Sequence, residues 1–390
     1  MTDPAPARFS RSTTILVALA AATVTAIGMS AIRGILAPTL LTLVLVICAN
    51  PVRTGLLRRG IPAGLATGSV ILVVFGLLAT FTYTIIIAFA QFVEMLPDYA
   101  DELAQIGANL GEWLQTLGFG PEQVQSIVSG IDPSNIAGVL TGAIGSITGI
   151  TAALVIVLTM MILMAADAVY SRTILGQLRE HNPNLVIAIG DYASNVRRYM
   201  VVTTVLGVLQ GTLNAIALSI LQVPAALLWG LLAFLCSFIP NIGYFFAIIP
   251  PLLFGFLEGG WPTVIAVLLV YTVINAVVQS IIQPRVVGHA VSLSQTITFF
   301  SVLFWAIVIG PIGAILAVPL TLMAKAFLVD ADPGSHWWRP ALGPTGETRD
   351  IERAAEEEAK RDRRGRRSAT KHAATAQNDG AVRNEVEDPG

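Results

Sequence analysis

Charge is scarce in this 390-residue chain: 12% of its residues are Asp, Glu, Lys or Arg, against about 25% in a soluble domain. From Met200 to Leu257 there is no charged residue. Cysteine is nearly absent too. Cys48 and Cys236 both sit in apolar segments, which excludes a disulfide framework and a thiolate metal cluster. No phosphate-cradling glycine loop, metal-ligand spacing or nucleophile elbow occurs. The sequence therefore predicts no enzyme, no catalytic residue, no metal, no cofactor and no nucleic-acid partner. The acidic segment 93–145 has no Lys or Arg against seven acids, so it is not a membrane span.

What is present is hydrophobic: 54% of the residues, in runs that exceed the roughly 20 residues needed to cross a bilayer. The expected fold is all-α and polytopic, with about eight membrane segments. Residues 1–92 read as N-terminal membrane helices. Arg8 and Arg11 precede the first, Thr13–Ile32, which is too long for a signal-peptide core and lacks a polar cleavage region. A second segment, Ile35–Ala49, is closed by Asn50-Pro51, and a third runs from about Ile61 to Phe92. Arg53, Arg58 and Arg59 lie between them without an acid, so that loop is cytoplasmic by the positive-inside rule.

Residues 93–145 carry apolar side chains at helical spacing, punctuated by Pro121 and Asp132-Pro133. They read as an acidic, helical, extracytoplasmic insertion, lying flat on the membrane or forming a knob. Residues 146–330 read as the transport domain. The pairs Gly138/Gly142 and Gly145/Gly149 let helices pack closely. A cytoplasmic amphipathic segment, 167–198, is split by Asn182-Pro183, and its second half lies along the surface before entering the membrane at Tyr199. The soluble tail, 331–390, is partly disordered; Trp337 and Trp338 fit an interfacial belt, and 360–371 hold seven basic residues against one acid.

The informative polar residues are inside the apolar runs. Thr203, Gly207, Gln210, Gly211 and Asn214 share one helix face, which serves as interhelical glue or lines a pathway. In 239–251, Pro240, Gly243, Pro250 and Pro251 predict a broken helix around Asn241. Freed backbone groups at membrane depth survive only where they are buried in protein or line a cavity. The next helix, 263–283, sets Tyr271, Asn275, Gln279 and Gln283 at four-residue spacing, and Pro284 ends it. A second apolar run, 297–329, is broken by Gly310, Pro311 and Gly313. Two broken segments flanking a polar helix point to a midplane site between repeats. If 225–258 and 297–329 are re-entrant hairpins, Glu258 lies outside while Arg285 and His289 lie inside; if they span, Arg285 falls outside. Both termini are cytoplasmic either way.

The order Ile239-Pro240-x-x-Gly243, Ile249-Pro250, Gln279, Pro284-x-x-x-Gly288 and Gly310-x-x-Gly313-x-x-Leu316-Ala317-Val318-Pro319 resembles the autoinducer-2 exporter family of bacterial permeases. Asn50-Pro51 and the acidic insertion sit where that family has them. Tyr244, Ser294-Gln295 and Ala306 depart from its usual Pro, His-Pro and Gly. The resemblance implies a homo-oligomeric permease of the bacterial inner membrane. Its expected cargo is a small polar solute, exported through a largely uncharged pathway. The alternatives are a sodium–proton antiporter with Glu258 or His289 as coupling groups, and a non-transporting scaffold.

Overall fold

The computed structural model describes residues 10–129, 135, 138, 142, 147–168, 170–240, 242–282, 293–343, 348, 351 and 354. Asp132-Pro133, Gly145, Asn241, Gln283, Pro284, Arg285, Gly288, His289, the side chains of Trp337 and Trp338, and 355–390 lie outside them. The described residues are helical, without a strand. Five helices are long and apolar enough to cross a membrane, and three shorter ones are apolar.

The N-terminal helices are α1 (Arg11–Ala31), α2 (Arg33–Arg58) and α3 (Ala63–Met95). Asn50-Pro51 does not close the second segment as expected. α2 runs through Pro51, which cannot donate to the carbonyl four residues back, that of Ile47. The Arg197 Nε–H takes that acceptor from another helix, at 3.3 Å. A long-range donor thus repairs what local sequence would break. Removing it in Arg197→Leu should cost about 1.5–3 kcal/mol, the range for a hydrogen bond to a charged group. Thermal unfolding in detergent should show the loss, and Arg197→Lys should recover part of it.

α3 passes through a 3-10 turn, Leu96–Tyr99, into α4 (Ala100–Thr116) and α5 (Pro121–Val128). The insertion is a helical hairpin: a methyl at Gly107 would stand 3.1 Å from Val128. Its root is tied to the membrane domain. Leu96 and Leu103, each 1% exposed, join a cluster with Trp229 and Phe254.

α6 (Ile147–Asp167) and α7 (Ser171–His181) lead to α8 (Pro183–Ile220), started by Asn182, whose side-chain oxygen accepts from the Leu185 N–H. α8 corrects the expectation of a separate surface helix. Its 38 residues are continuous, about 57 Å at 1.5 Å per residue, so one rod includes both the amphipathic segment before Tyr199 and the apolar run after it. Tyr192, Val196 and Tyr199 are buried on it, so its first half is packed against neighbouring elements.

The two broken runs are antiparallel helical hairpins. In the first, α9 (Ala226–Cys236) turns at 237–242 into α10 (Gly243–Asn275). Trp229 near the start of one arm stacks on Phe254 far along the other, 5.8 Å apart. Pro250 and Pro251, expected as breakers, lie within α10. The real breaks are the turn at Pro240 and Gly260, at φ 61° and ψ −156°, a region essentially reserved to glycine. In the second hairpin, α11 (Gln295–Ile309) turns at Gly310, φ 85°, into α12 (Pro311–Ile315) and α13 (Ala317–Lys325). Its arms are tied by Trp305 Nε1–H donating to Thr321 Oγ1 at 3.0 Å. Gly313 lies so close to the Trp305 carbonyl that a side chain would collide with it. These residues form one compact unit, 1–291 with 295–333; the other unit, 292–294 with 334–390, includes α14 (Arg339–Leu342) and a Ser294 N–H to Leu342 carbonyl bond.

Candidate transport site

α8 packs against both hairpins, and its sequence explains how. Gly207 and Gly211 form a furrow into which α9 settles: a methyl at Gly211 would stand 2.6 Å from the Gly230 carbonyl and 3.1 Å from Phe234 Cβ. Gly207 abuts Ser237 and Phe234. Without side chains at these positions the backbones approach closely, the usual source of helix affinity in lipid. The predicted face is buried as a set, with Thr203 3%, Gln210 4% and Asn214 1% exposed.

The turn of the first hairpin is held locally. The Ile239 N–H donates to the Cys236 carbonyl and the Gly243 N–H to the Ile239 carbonyl, both at 3.0 Å. Gly243 packs so tightly on the Cys236 carbonyl that a Cβ there would overlap it. Pro240 sits half-buried at the apex. Just past it, the Tyr244 hydroxyl bonds Thr272 Oγ1 at 3.0 Å. Cys236, Tyr244 and Tyr271 belong to one packed cluster.

The span beyond Gly260 runs antiparallel to α8. Gln210 meets Asn275 at one level, Nε2 to Oδ1 3.5 Å. Toward the opposite end Val223 and Val267 both approach Gly255. One turn from the Gln210–Asn275 contact on each helix stand Asn214 and Tyr271, each 1% exposed. Neither amide atom of Asn214 has a hydrogen-bond partner among the described residues, nor does the Tyr271 hydroxyl. An unmade hydrogen bond on a buried polar group costs about 1–3 kcal/mol. Four uncharged polar side chains thus lie within one turn of each other along two packed helices.

The expected amide stripe holds only through Asn275. From Ala276 to Ile282 the backbone makes wider i→i+5 turns, which rotate Gln279 off the line of Tyr271 and Asn275. The widening directly precedes Pro284 in the sequence, whose missing N–H disfavours a regular last turn. Gln279 is half-buried. The second tip, Gly310 to Gly313, is built against α2 rather than against this pocket, while α13 runs along α8. Glu258 is exposed, and its carboxylate accepts the Tyr99 hydroxyl proton at 2.7 Å. Burial, then that hydrogen bond and the charge of Glu258, push the Tyr99 phenol up to about 12. A folded pKa above the unfolded value of about 10 means the stabilisation is complete below pH 10 and lost as pH rises through 12. The latch is thus constant across pH 6–9.

Chain length, a set of long apolar helices and two helical hairpins packed on α8 admit comparison with known proteins. Residues 14–331 match the family described as AI-2E family transporter. The chain belongs to this family. It is a membrane-embedded transporter. YhhT of Escherichia coli (strain K12) is 28% identical over 326 residues, 82% of this chain and 92% of YhhT. The AI-2 transport protein TqsA of the same strain is 27% identical over 301 residues, 77% of this chain and 87% of TqsA. A protein of Haemophilus influenzae is 28% identical over 335 residues, covering 84% and 95%. The family match ends where the charged tail begins, at residue 331.

Two features escaped the sequence reading, a wall and a long-range bond. Ser237 and Phe234 form the wall opposite Gly207 and Gly211, and only their position beside Pro240 marked them. The Tyr99–Glu258 bond joins residues 159 apart, beyond the reach of any local pattern.

Proposed function

We propose that this AI-2E family transporter is a secondary permease that exports a small polar solute of the cytoplasm across the bacterial inner membrane. The solute binds between α8, the first hairpin turn and the span after Gly260. The observation that carries this is Asn214: an amide with both polar atoms unpartnered at 1% exposure. It lies one turn from a contact between two spans. Glue would be satisfied; an acceptor and a donor without a partner among the described residues are open to a guest. Gln210, Asn275 and the Tyr271 hydroxyl supply the remaining polar groups, and Pro240 and Gly243 one wall; Asn241, between them in the sequence, is a further candidate. Gly310, Pro311 and Gly313 form a second hinge acting on α2, with Gln279 at the mouth; Gln283 and Pro284 follow it in the sequence as further candidates. The Arg53 end is cytoplasmic by its charge, as are both termini. The lipid-facing α1 and α3 expose many large apolar residues, such as Leu72 at 73%, which a homo-oligomer would partly cover.

Flux of neutral polar solutes into proteoliposomes tests this. Asn275→Leu should lower flux at least about tenfold, the loss of roughly 1.4 kcal/mol of solute binding, with unchanged membrane incorporation. Unaltered flux would sink the reading. Glu258→Gln should leave solute flux largely intact, since Glu258 is exposed and its hydrogen-bond partner is the Tyr99 phenol outside the polar cluster. Sodium-dependent proton flux abolished by that substitution would make the protein an antiporter instead. No flux of any solute or cation would leave a scaffold.

A further inference from the structure

A groove of about 730 Å³ lies between the start of α3 and the end of α6, away from the transport site. Its walls are apolar, from Ile71, Phe75, Leu158 and Ile162, and Arg53 stands at its mouth. Small residues on α3 open it: at Gly64 and Gly68 an added methyl would meet nothing within 4 Å. From Ala63 to Phe75 the groove runs about 18 Å at 1.5 Å per residue. One leaflet's half of a roughly 30 Å hydrocarbon core is about 15 Å. The groove is thus about as long as one leaflet's hydrocarbon is deep.

Arg53 is half-buried, and its Nε–H donates to Thr67 Oγ1 at 2.7 Å. That bond fixes the guanidinium plane over the groove. Among the described residues no carboxylate pairs with it. An uncompensated, immobilised guanidinium above an acyl-sized apolar slot is complementary to a phosphodiester carrying a hydrocarbon chain. We propose that this groove holds an anionic phospholipid, its phosphate on Arg53 and one acyl chain along α3. The site is separate from the solute pathway and stands whether or not that pathway is as described.

Binding is read as the rise in unfolding temperature of the detergent-purified protein, titrated with phosphatidylglycerol or with phosphatidylcholine of the same chains. Phosphatidylglycerol should half-saturate at about five-fold lower concentration, the effect of one basic residue near the lipid surface. Arg53→Gln should erase that preference, while Thr67→Val, which removes the same side-chain bond but keeps the guanidinium, should retain most of it. Arg58→Gln and Arg59→Gln, on exposed neighbours, should leave it intact. Gly68→Leu should fill the slot and weaken both lipids. Equal affinity of the wild type for both lipids, or a preference that survives Arg53→Gln, overturns the proposal. So does a change in oligomer mass with Gly68→Leu, which would make a second copy the occupant.

Discussion

Asn214→Leu is expected to remove transport and at the same time to raise the unfolding temperature. The side chain is 1% exposed and neither of its polar atoms has a partner among the described residues. Leucine has the same branching and number of side-chain heavy atoms and no groups to desolvate, though its methyls are bulkier. Relief of an unsatisfied buried amide is worth about 1–3 kcal/mol, toward the lower end within a lipid-embedded bundle, where polar pairings average about 0.6 kcal/mol. Flux should fall by two orders of magnitude or more if the amide is the solute's anchor. Opposite signs for stability and activity are the signature of a group kept for function. A packing residue would lose both. The paired measurement is therefore thermal unfolding and proteoliposome flux on the same preparation. Lower stability with intact flux would place Asn214 among the structural residues.

The second large effect is at Gly211. A methyl there would stand 2.6 Å from the Gly230 carbonyl, and the neighbour is backbone, which cannot swing aside. Gly211→Ala should push α9 away from α8, costing about 1–3 kcal/mol by overpacking. It should also displace the hairpin turn from Tyr271, so that flux falls with stability. Gly190→Ala on the same helix is the control. Position 190 is exposed and open within 4 Å, so alanine should stabilise by about 0.5–1 kcal/mol. Two identical substitutions on one helix thus differ in sign because only one faces the hairpin. If Gly211→Ala were neutral, the close approach of α8 and α9 would not hold the site.

Sequence patterning reached the helical membrane class, the paired broken runs and the buried face of α8, because hydrophobic runs and 3.6-residue periodicity are local signals. It read Pro51 as an end because the repair comes from Arg197, distant in the chain. It read Pro250 and Pro251 as breaks together with Pro240, whereas those two lie inside a helix and the interruptions are Pro240 and Gly260. The stripe from Tyr271 to Gln283 was drawn with α-helical geometry, and a change of backbone pitch at Ala276 is invisible to residue spacing. Of the candidate site, Gln210, Asn214, Tyr271 and Asn275 were legible as polar residues in hydrocarbon, where they are costly and rarely accidental. That Gln210 meets Asn275, and that Asn214 and Tyr271 are left unpaired, depended on the antiparallel register of two spans.

Thiol labelling tests the central claim, that Asn214 faces the solute's path. In a Cys48→Ala, Cys236→Ala background, Asn214→Cys would be exposed to a small, membrane-impermeant thiol reagent in proteoliposomes. Ile216→Cys, on the lipid-facing side at 54% exposure, is the reference. The account predicts that the thiol at 214 reacts, although this conformation buries the position, and that saturating solute protects it while 216 stays unlabelled. A thiol at 214 that reacts no faster than one at 216, or whose labelling the solute does not change, would contradict it.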